Sequence, residues 1–157
     1  MSSKTEERSL IIMKPDCVQR GLLGEIMGRF ERKGFKIIGL KMLALSDVLL
    51  DKHYQEHLGK PFLPKLKEFM KSAPVVLVAL SGLSAVSTAR FIVGKTRGSE
   101  ADAGTIRGDF SMGMQNIVHA SDSVESGIRE VGIFFEESEL FDYKRPEFDY
   151  IYGEDER

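Results

Sequence analysis

Six consecutive apolar residues, Val75-Val76-Leu77-Val78-Ala79-Leu80, constrain this chain more than any other stretch. A run rich in β-branched residues, with no polar residue alternating through it, predicts a strand buried on both faces. Such a strand needs neighbours in a sheet and further elements packed above and below it. Ser72-Ala73-Pro74 breaks the chain before the run, and Gly82 is expected to turn it afterwards. At 157 residues the chain can build a sizeable core, and no composition shift or Pro/Gly/Ser-rich linker divides it. One domain over 1–157 is expected, with a polar N-terminal arm over 1–8.

The rest of the chain supplies the missing elements. Ser9-Leu10-Ile11-Ile12-Met13 is a second apolar run, stopped by Lys14-Pro15-Asp16; Pro15 cannot continue a ladder, so the Lys14 ammonium is expected to point off the sheet edge. Leu22, Leu23, Ile26, Met27 and Phe30 recur at helical spacing, and Gly34 ends that helix. Phe35–Leu43 reads as a longer strand with Gly39 as a bulge or close-approach point. Ser46 or Asp47 caps a short helix through His57 that carries Tyr54 and His57 on one face. Lys60-Pro61-Phe62-Leu63-Pro64 opens another helix with Leu66, Phe69 and Met70 on its buried side; Phe62 is either a core residue or an aromatic plate for a nucleobase, and the spacing favours the core. A helix from about Leu83 to Val93 follows, delivering Arg90 near its end.

Residues 94–115 form a loop long enough to be functional, and it is read as ordered and partly helical. A short strand ends at His119, and Ser121 or Ser123 caps a helix through about Glu130. Val131–Phe135 is a last apolar run, and Glu136–Phe141 a helical turn. The tail over 142–157 alternates aromatics with charges and is expected to lie along the body or a neighbouring subunit. Without the insertions the order is β-α-β-β-α-β. That is an α/β, ferredoxin-like sandwich: a four-stranded antiparallel sheet with helices covering one face.

A net charge of −2 gives no general basic field, so nucleic acid is an unlikely partner and an anionic ligand would need local cations. Arg90, Thr96 and Arg107 could together form such a phosphate clamp. Cys17 is the only cysteine, which excludes an intrachain disulfide and a multi-cysteine metal site and suits a reducing compartment. The polar start of the chain lacks the apolar core of a signal peptide, and no later run approaches a membrane span. A cytoplasmic location without membrane attachment is expected.

The chemistry concentrates between Gly104-Thr105-Ile106-Arg107-Gly108-Asp109-Phe110 and Asn116-Ile117-Val118-His119-Ala120-Ser121-Asp122-Ser123. Asn116 and His119 lie three positions apart, so a regular strand would send them to opposite faces; with Asn116 ending the loop and His119 ending the strand, both can face one cleft. An imidazole is largely neutral near pH 7 and acts as a nucleophile when a partner orients one ring nitrogen. Glu130 is the candidate carboxylate. On spacing alone, with no metal or triad motif present, the favoured reading of His119 is a hydrogen-bonded surface residue.

Those two segments, with Met13-Lys14-Pro15-Asp16, Val18-Gln19-Arg20-Gly21-Leu22 and Lys60-Pro61-Phe62, closely resemble the nucleoside diphosphate kinase family from about Ser9 to Tyr152. The resemblance implies a βαββαβ domain that transfers the γ-phosphate of a nucleoside triphosphate, typically ATP, to a nucleoside diphosphate through a phosphohistidine, by a ping-pong route with broad base specificity. His119 matches the phosphorylated histidine, Glu130 the glutamate that orients it, Lys14 the lysine near the γ-phosphate and sugar, and Tyr54 the tyrosine beside the histidine. Asn116 falls on the ribose-contacting asparagine, Arg90, Thr96 and Arg107 on the phosphate-binding group, and His57 on a residue near the α-phosphate. Phe62 falls on the base-stacking aromatic and Ser121 on the serine after the active histidine. Mg2+ is implied as a cofactor that arrives with the nucleotide, with no metal ligand from protein side chains. A homo-oligomer is implied, a hexamer in preference to a tetramer. Cys17 and Ala120 stand where the family usually has glycine, and Ser111–Gln115 is one residue shorter than the usual spacer.

Overall fold

In the computed structural model, which describes residues 6–157, the apolar runs become the two central strands of one antiparallel sheet. The strands are β1 (Glu6–Met13), β2 (Lys36–Leu43), β3 (Val75–Leu83) and β4 (Val118–Ala120), in the spatial order β2-β3-β1-β4. The helices are α1 (Pro15–Gln19), α2 (Leu23–Lys33), α3 (Asp47–His53), α4 (Leu63–Met70), α5 (Ala85–Val93), α6 (Ile106–Phe110), α7 (Val124–Phe134) and α8 (Phe148–Ile151). This is the ferredoxin-like order expected, with α3 and α4 inserted between β2 and β3.

All nine residues of β3 are buried, and the two-residue alternation of β1 and β3 divides their side chains between two cores. Ile11, Met13, Val76, Val78 and Leu80 pack with Ile26 and Phe30 of α2 and Ala85, Ala89 and Val93 of α5. Leu10, Ile12, Val75, Leu77 and Ala79 pack with Leu50 of α3, Met70 of α4 and Val131 and Phe134 of α7. Helices therefore cover both faces of the sheet rather than one. The inserted helices and α7 lie outside the βαββαβ frame, but their apolar stripes also need burial, worth roughly 1.5–3 kcal/mol for each large side chain.

Several local expectations hold. Gly34 takes φ 107° where α2 stops. Gly39 sits at a register irregularity in β2, and a Cβ there would lie 2.9 Å from both Phe135 and Leu140 side-chain atoms. Others are corrected. The chain does not turn at Gly82, which pairs with Glu7 inside the ladder; β3 runs on to Leu83 and bends at Ser84. Pro15, expected only to stop β1, also starts α1, because a proline lacks a donor where the first helical turn needs none. The helix expected to run through His57 ends at His53 and gives way to a 3-10 turn at Gln55–His57. The run Val131–Phe135 is not separate, since α7 continues past Glu130 to Phe134 with Val131 and Phe134 on its buried stripe.

Of the polar arm expected over 1–8, residues 1–5 lie outside the described residues and Glu6–Arg8 belong to β1. The 94–115 loop holds a 3-10 turn at Gly98–Glu100 and then α6. The tail lies along the body: Phe141 N–H donates to Ile38 O, Tyr143 Oη donates to Ile37 O, and Leu83 N–H donates to Tyr152 Oη.

Candidate active site

Pairing fixes the direction of His119. Val118 and Ala120 of β4 enter the core beneath α2 and α5, so His119 between them faces the side covered by α3 and α7. Ser123, not Ser121, caps α7 by accepting from Ser126 N–H at 3.0 Å. The helix thus starts immediately after the corner and folds back over β1, the strand paired with β4, carrying Glu130 to the histidine. His119 Nε2 lies 2.9 Å from Glu130 Oε2. Ser121 Oγ donates to the same oxygen at 2.6 Å and accepts from Leu10 N–H at 2.9 Å, so a buried chain ties the carboxylate to β1. Glu130 is buried, which by itself would push its carboxyl up. The hydrogen bond and charge of His119 and the hydroxyl of Ser121 outweigh burial and hold it below the usual carboxylate range. A carboxylate at Nε2 requires the ring proton there, which leaves Nδ1 with its lone pair.

Sequence reasoning missed His53. Its ring sits at the end of α3, 6% exposed, 4.8 Å from the His119 ring and near perpendicular to it at 87°. Burial, then the charge of His119, pushes its pKa down to about 3, and its Nδ1 is buried with no partner among the described residues. His53 is thus a neutral ring against the face of the site. The signal available was the pair His53-Tyr54 at a helix end, of which only Tyr54 was read. From His119 the rings continue in a row: His53 to Tyr54 at 4.6 Å, Tyr54 to His57 at 6.3 Å and His57 to Phe62 at 5.5 Å.

A second group gathers around Lys14. Lys14 is 9% exposed and turns inward rather than off the sheet edge, because its Nζ donates to Asn116 Oδ1 at 2.7 Å. Burial, then the charge of Arg107, pushes its pKa down to about 8 against the opposing pull of Asp16. Asn116 Nδ2 donates to Thr96 O at 2.7 Å. Arg107 is buried and braces three backbone carbonyls, those of Asn116, Gly94 and Val118, at 3.3, 3.2 and 2.7 Å. Burial, then the charge of Arg90, brings Arg107 down to about 10. Arg90 and Thr96 are exposed, and Arg90 forms no ion pair with a described residue.

The third group lies on the segment between β2 and β3. Tyr54 is half-buried, and burial, then the charge of Glu130, pushes its phenol up to about 12. His57 Nδ1 lies 2.9 Å from Lys60 Nζ. Phe62 is 50% exposed, so the core reading of this residue fails: Leu63 and Met70 fill the buried side of α4, and Phe62 stands before its first turn.

Among the described residues one trio could approach a metal, His53, His119 and Glu130, whose ligand atoms lie within 4.8 Å of one another. Two imidazoles and one carboxylate suit a softer ion than Mg2+, which takes oxygen ligands. Glu130 is already engaged with His119 and Ser121, and Asp16 uses one oxygen, Oδ2, for the Ile117 N–H. Among the described residues this trio therefore does not offer the set of oxygen donors that Mg2+ takes.

Known proteins share this sequence pattern and fold. A family model described as nucleoside diphosphate kinase matches residues 7–140. A nucleoside diphosphate kinase of Staphylococcus epidermidis is 49% identical over 147 residues, covering 93% of this chain and 99% of the relative. The structure of a halophilic nucleoside diphosphate kinase from Halobacterium salinarum in complex with CDP superposes with a TM-score of 0.92 at 38% identity, over 95% of this chain and 100% of the other. A transition state mimic of nucleoside-diphosphate kinase from Borrelia burgdorferi with bound vanadate and ADP gives a TM-score of 0.85 at 33% identity, over 90% and 94% of the two chains.

Proposed function

The chain belongs to the nucleoside diphosphate kinase family, and we propose that it moves the γ-phosphate of a nucleoside triphosphate, typically ATP, to a nucleoside diphosphate by carrying it on His119. The observation that carries this reading is the Nε2 contact of His119 with Glu130, itself fixed by Ser121. With its proton held at Nε2, the ring attacks the γ-phosphorus through Nδ1: the N–P bond forms, the P–O bond to the departing diphosphate breaks, and Glu130 balances the positive charge that builds on the imidazole. The second nucleotide reverses these steps and takes the phosphate.

Phosphoryl transfer is mostly positioning and charge stabilisation. Lys14, Arg90, Thr96 and Arg107 hold the phosphates, His57 lies near the α-phosphate and Asn116 at the ribose. Tyr54 flanks His119. Phe62 stacks on the base; because every base offers a π-face, base specificity is broad. Mg2+ enters on the nucleotide and offsets charge on the phosphate oxygens.

The protein assembles as a homohexamer in preference to a tetramer; self-association as such is supported by the edge strand β2, where Leu40 and Met42 are more than half exposed. It works in the cytoplasm; among the described residues no helix is long and apolar enough to cross a membrane. Light scattering of the purified protein tests the assembly.

Incubation with γ-labelled ATP tests the chemistry. The protein should retain an acid-labile, base-stable label that GDP removes as GTP, and His119→Ala should lower transfer on the order of 10^4-fold or more. A His119→Ala protein that labels as well as the parent overturns the assignment.

A further inference from the structure

Asn116 and His119 lie three residues apart, and the backbone between them shows how both come to one cleft. Ile117 has φ 72°, in the left-handed region that a β-branched residue scarcely enters. Val118 N–H donates to Asn116 O across it at 2.7 Å, closing a three-residue γ-turn. A turn of this kind with isoleucine at its centre is unfavourable alone and persists only where its surroundings hold it.

The segment following β1 holds it. Lys14 N–H donates to Ile117 O at 2.8 Å, and Ile117 N–H donates to Asp16 Oδ2 at 3.0 Å. Both backbone polar groups of the strained residue thus end on Lys14-Pro15-Asp16, with Pro15 fixing φ between the two partners. The other carboxylate oxygen, Asp16 Oδ1, is buried with no partner among the described residues, none of which caps the first turn of α1 with its side chain. A carboxylate that accepts one backbone N–H while leaving its second oxygen buried and unmatched is poorly explained as a helix cap or a surface charge. Its one hydrogen bond is to the turn beneath the active site.

We propose that Asp16 is a positioning residue: its carboxylate keeps the γ-turn at Ile117 closed and so sets Asn116 and His119 against one cleft. It acts through Ile117. The inference rests on His119 being the phosphate carrier, because a misplacement of about 1 Å at a reacting group costs on the order of 100-fold in rate.

The test compares the full-length protein with Asp16→Ala and Asp16→Asn in three measurements: labelling by γ-labelled ATP, kcat for transfer from ATP to GDP, and amide exchange at Ile117. Asparagine still offers an oxygen to the Ile117 N–H but removes the charge acting on Lys14. Asp16→Asn should retain kcat within about threefold and keep the Ile117 amide protected. Asp16→Ala should lower kcat at saturating nucleotide by at least about tenfold, with faster exchange at Ile117 while the β1 and β3 amides stay protected. A kcat for Asp16→Ala within about twofold of the parent overturns the proposal, as does an unchanged Ile117 amide. An Asp16→Asn protein as slow as Asp16→Ala also overturns it, since the effect would then be electrostatic. If the unmodified protein itself takes no label, the reading of His119 fails instead, and the two failures are distinguished.

Discussion

The two sides of the cleft are built differently. The wall from β1, the 94–115 loop, β4 and α7 is tied by buried and half-buried side-chain hydrogen bonds: Lys14 to Asn116, Asn116 to Thr96, Arg107 to three carbonyls, Glu130 to His119 and Ser121. The segment carrying Tyr54, His57 and Phe62 leans on ring contacts and on surface ion pairs such as Lys67 with Asp51 and Lys71 with Asp47. Buried polar networks fix geometry tightly, whereas exposed ion pairs are worth about 0–1 kcal/mol each. The difference assigns work. The wall holds the reacting ring and the groups set against the transferred phosphate, and the segment opposite holds His57 and Phe62, which grip the rest of the nucleotide. Changes on the wall should lower kcat, and changes opposite should raise KM.

After loss of His119 itself, the largest effect should follow removal of the Lys14 ammonium. Lys14→Met is expected to lower kcat about 100-fold, because it takes away a cation and also leaves Asn116 Oδ1 without its donor. A loss confined to KM would break the division between the two sides. Its pH dependence sharpens the point. With the Lys14 pKa near 8, kcat/KM should fall as pH rises through that value and the ammonium loses its proton. Stability should move the opposite way. The folded pKa lies below the ordinary lysine value of 10.5, so the unfolded chain binds more protons between pH 8 and 10.5 and stability rises with pH across that window. Urea unfolding of the parent and of Lys14→Met should show the rise only in the parent.

Next comes Glu130→Gln, which keeps the shape but loses the charge that opposes the developing imidazolium. A loss of roughly 10–100-fold in kcat with little change in KM is expected from steady-state kinetics. The Glu130 carboxyl is held below 4.5, so its contribution to stability is present above that pH and is lost as pH falls through the folded value. Acid unfolding of the glutamine variant should be correspondingly shallower. Across the cleft, Phe62→Ala should raise KM about tenfold through lost stacking while leaving kcat within a few-fold. A matching loss in kcat would show that this segment also positions the reacting groups. The smallest effect belongs to Lys67→Met: its ion pairs with Asp47 and Asp51 are at the surface, and the thermal midpoint and kinetics should change little.

The same division governs what the sequence discloses. The strands were legible because an unbroken apolar run means a strand covered on both faces, and α2 because its apolar period and Gly34 agree. His119 and Glu130 could be paired because a cap at Ser121 or Ser123 starts a helix beside the strand, although which serine caps and which binds Glu130 depends on the path of the corner. Lys14 was expected off the sheet edge, since only the long-range contact with Asn116 turns it inward. His53 was passed over because a histidine at a helix end carries no local sign that its ring meets another residue's ring from β4. Ile117 was opaque for a deeper reason. Propensity argues against a left-handed isoleucine, and the partners that hold it lie about 100 positions earlier in the chain.

The central claim is that Glu130 keeps the His119 proton on Nε2 and so makes Nδ1 the atom that carries phosphate. The direct measurement is nitrogen NMR of 15N-histidine-labelled protein before and after addition of ATP and Mg2+. The account predicts a neutral ring protonated at Nε2 that becomes phosphorylated at Nδ1. Phosphate found on Nε2, or on a residue other than His119, would contradict it.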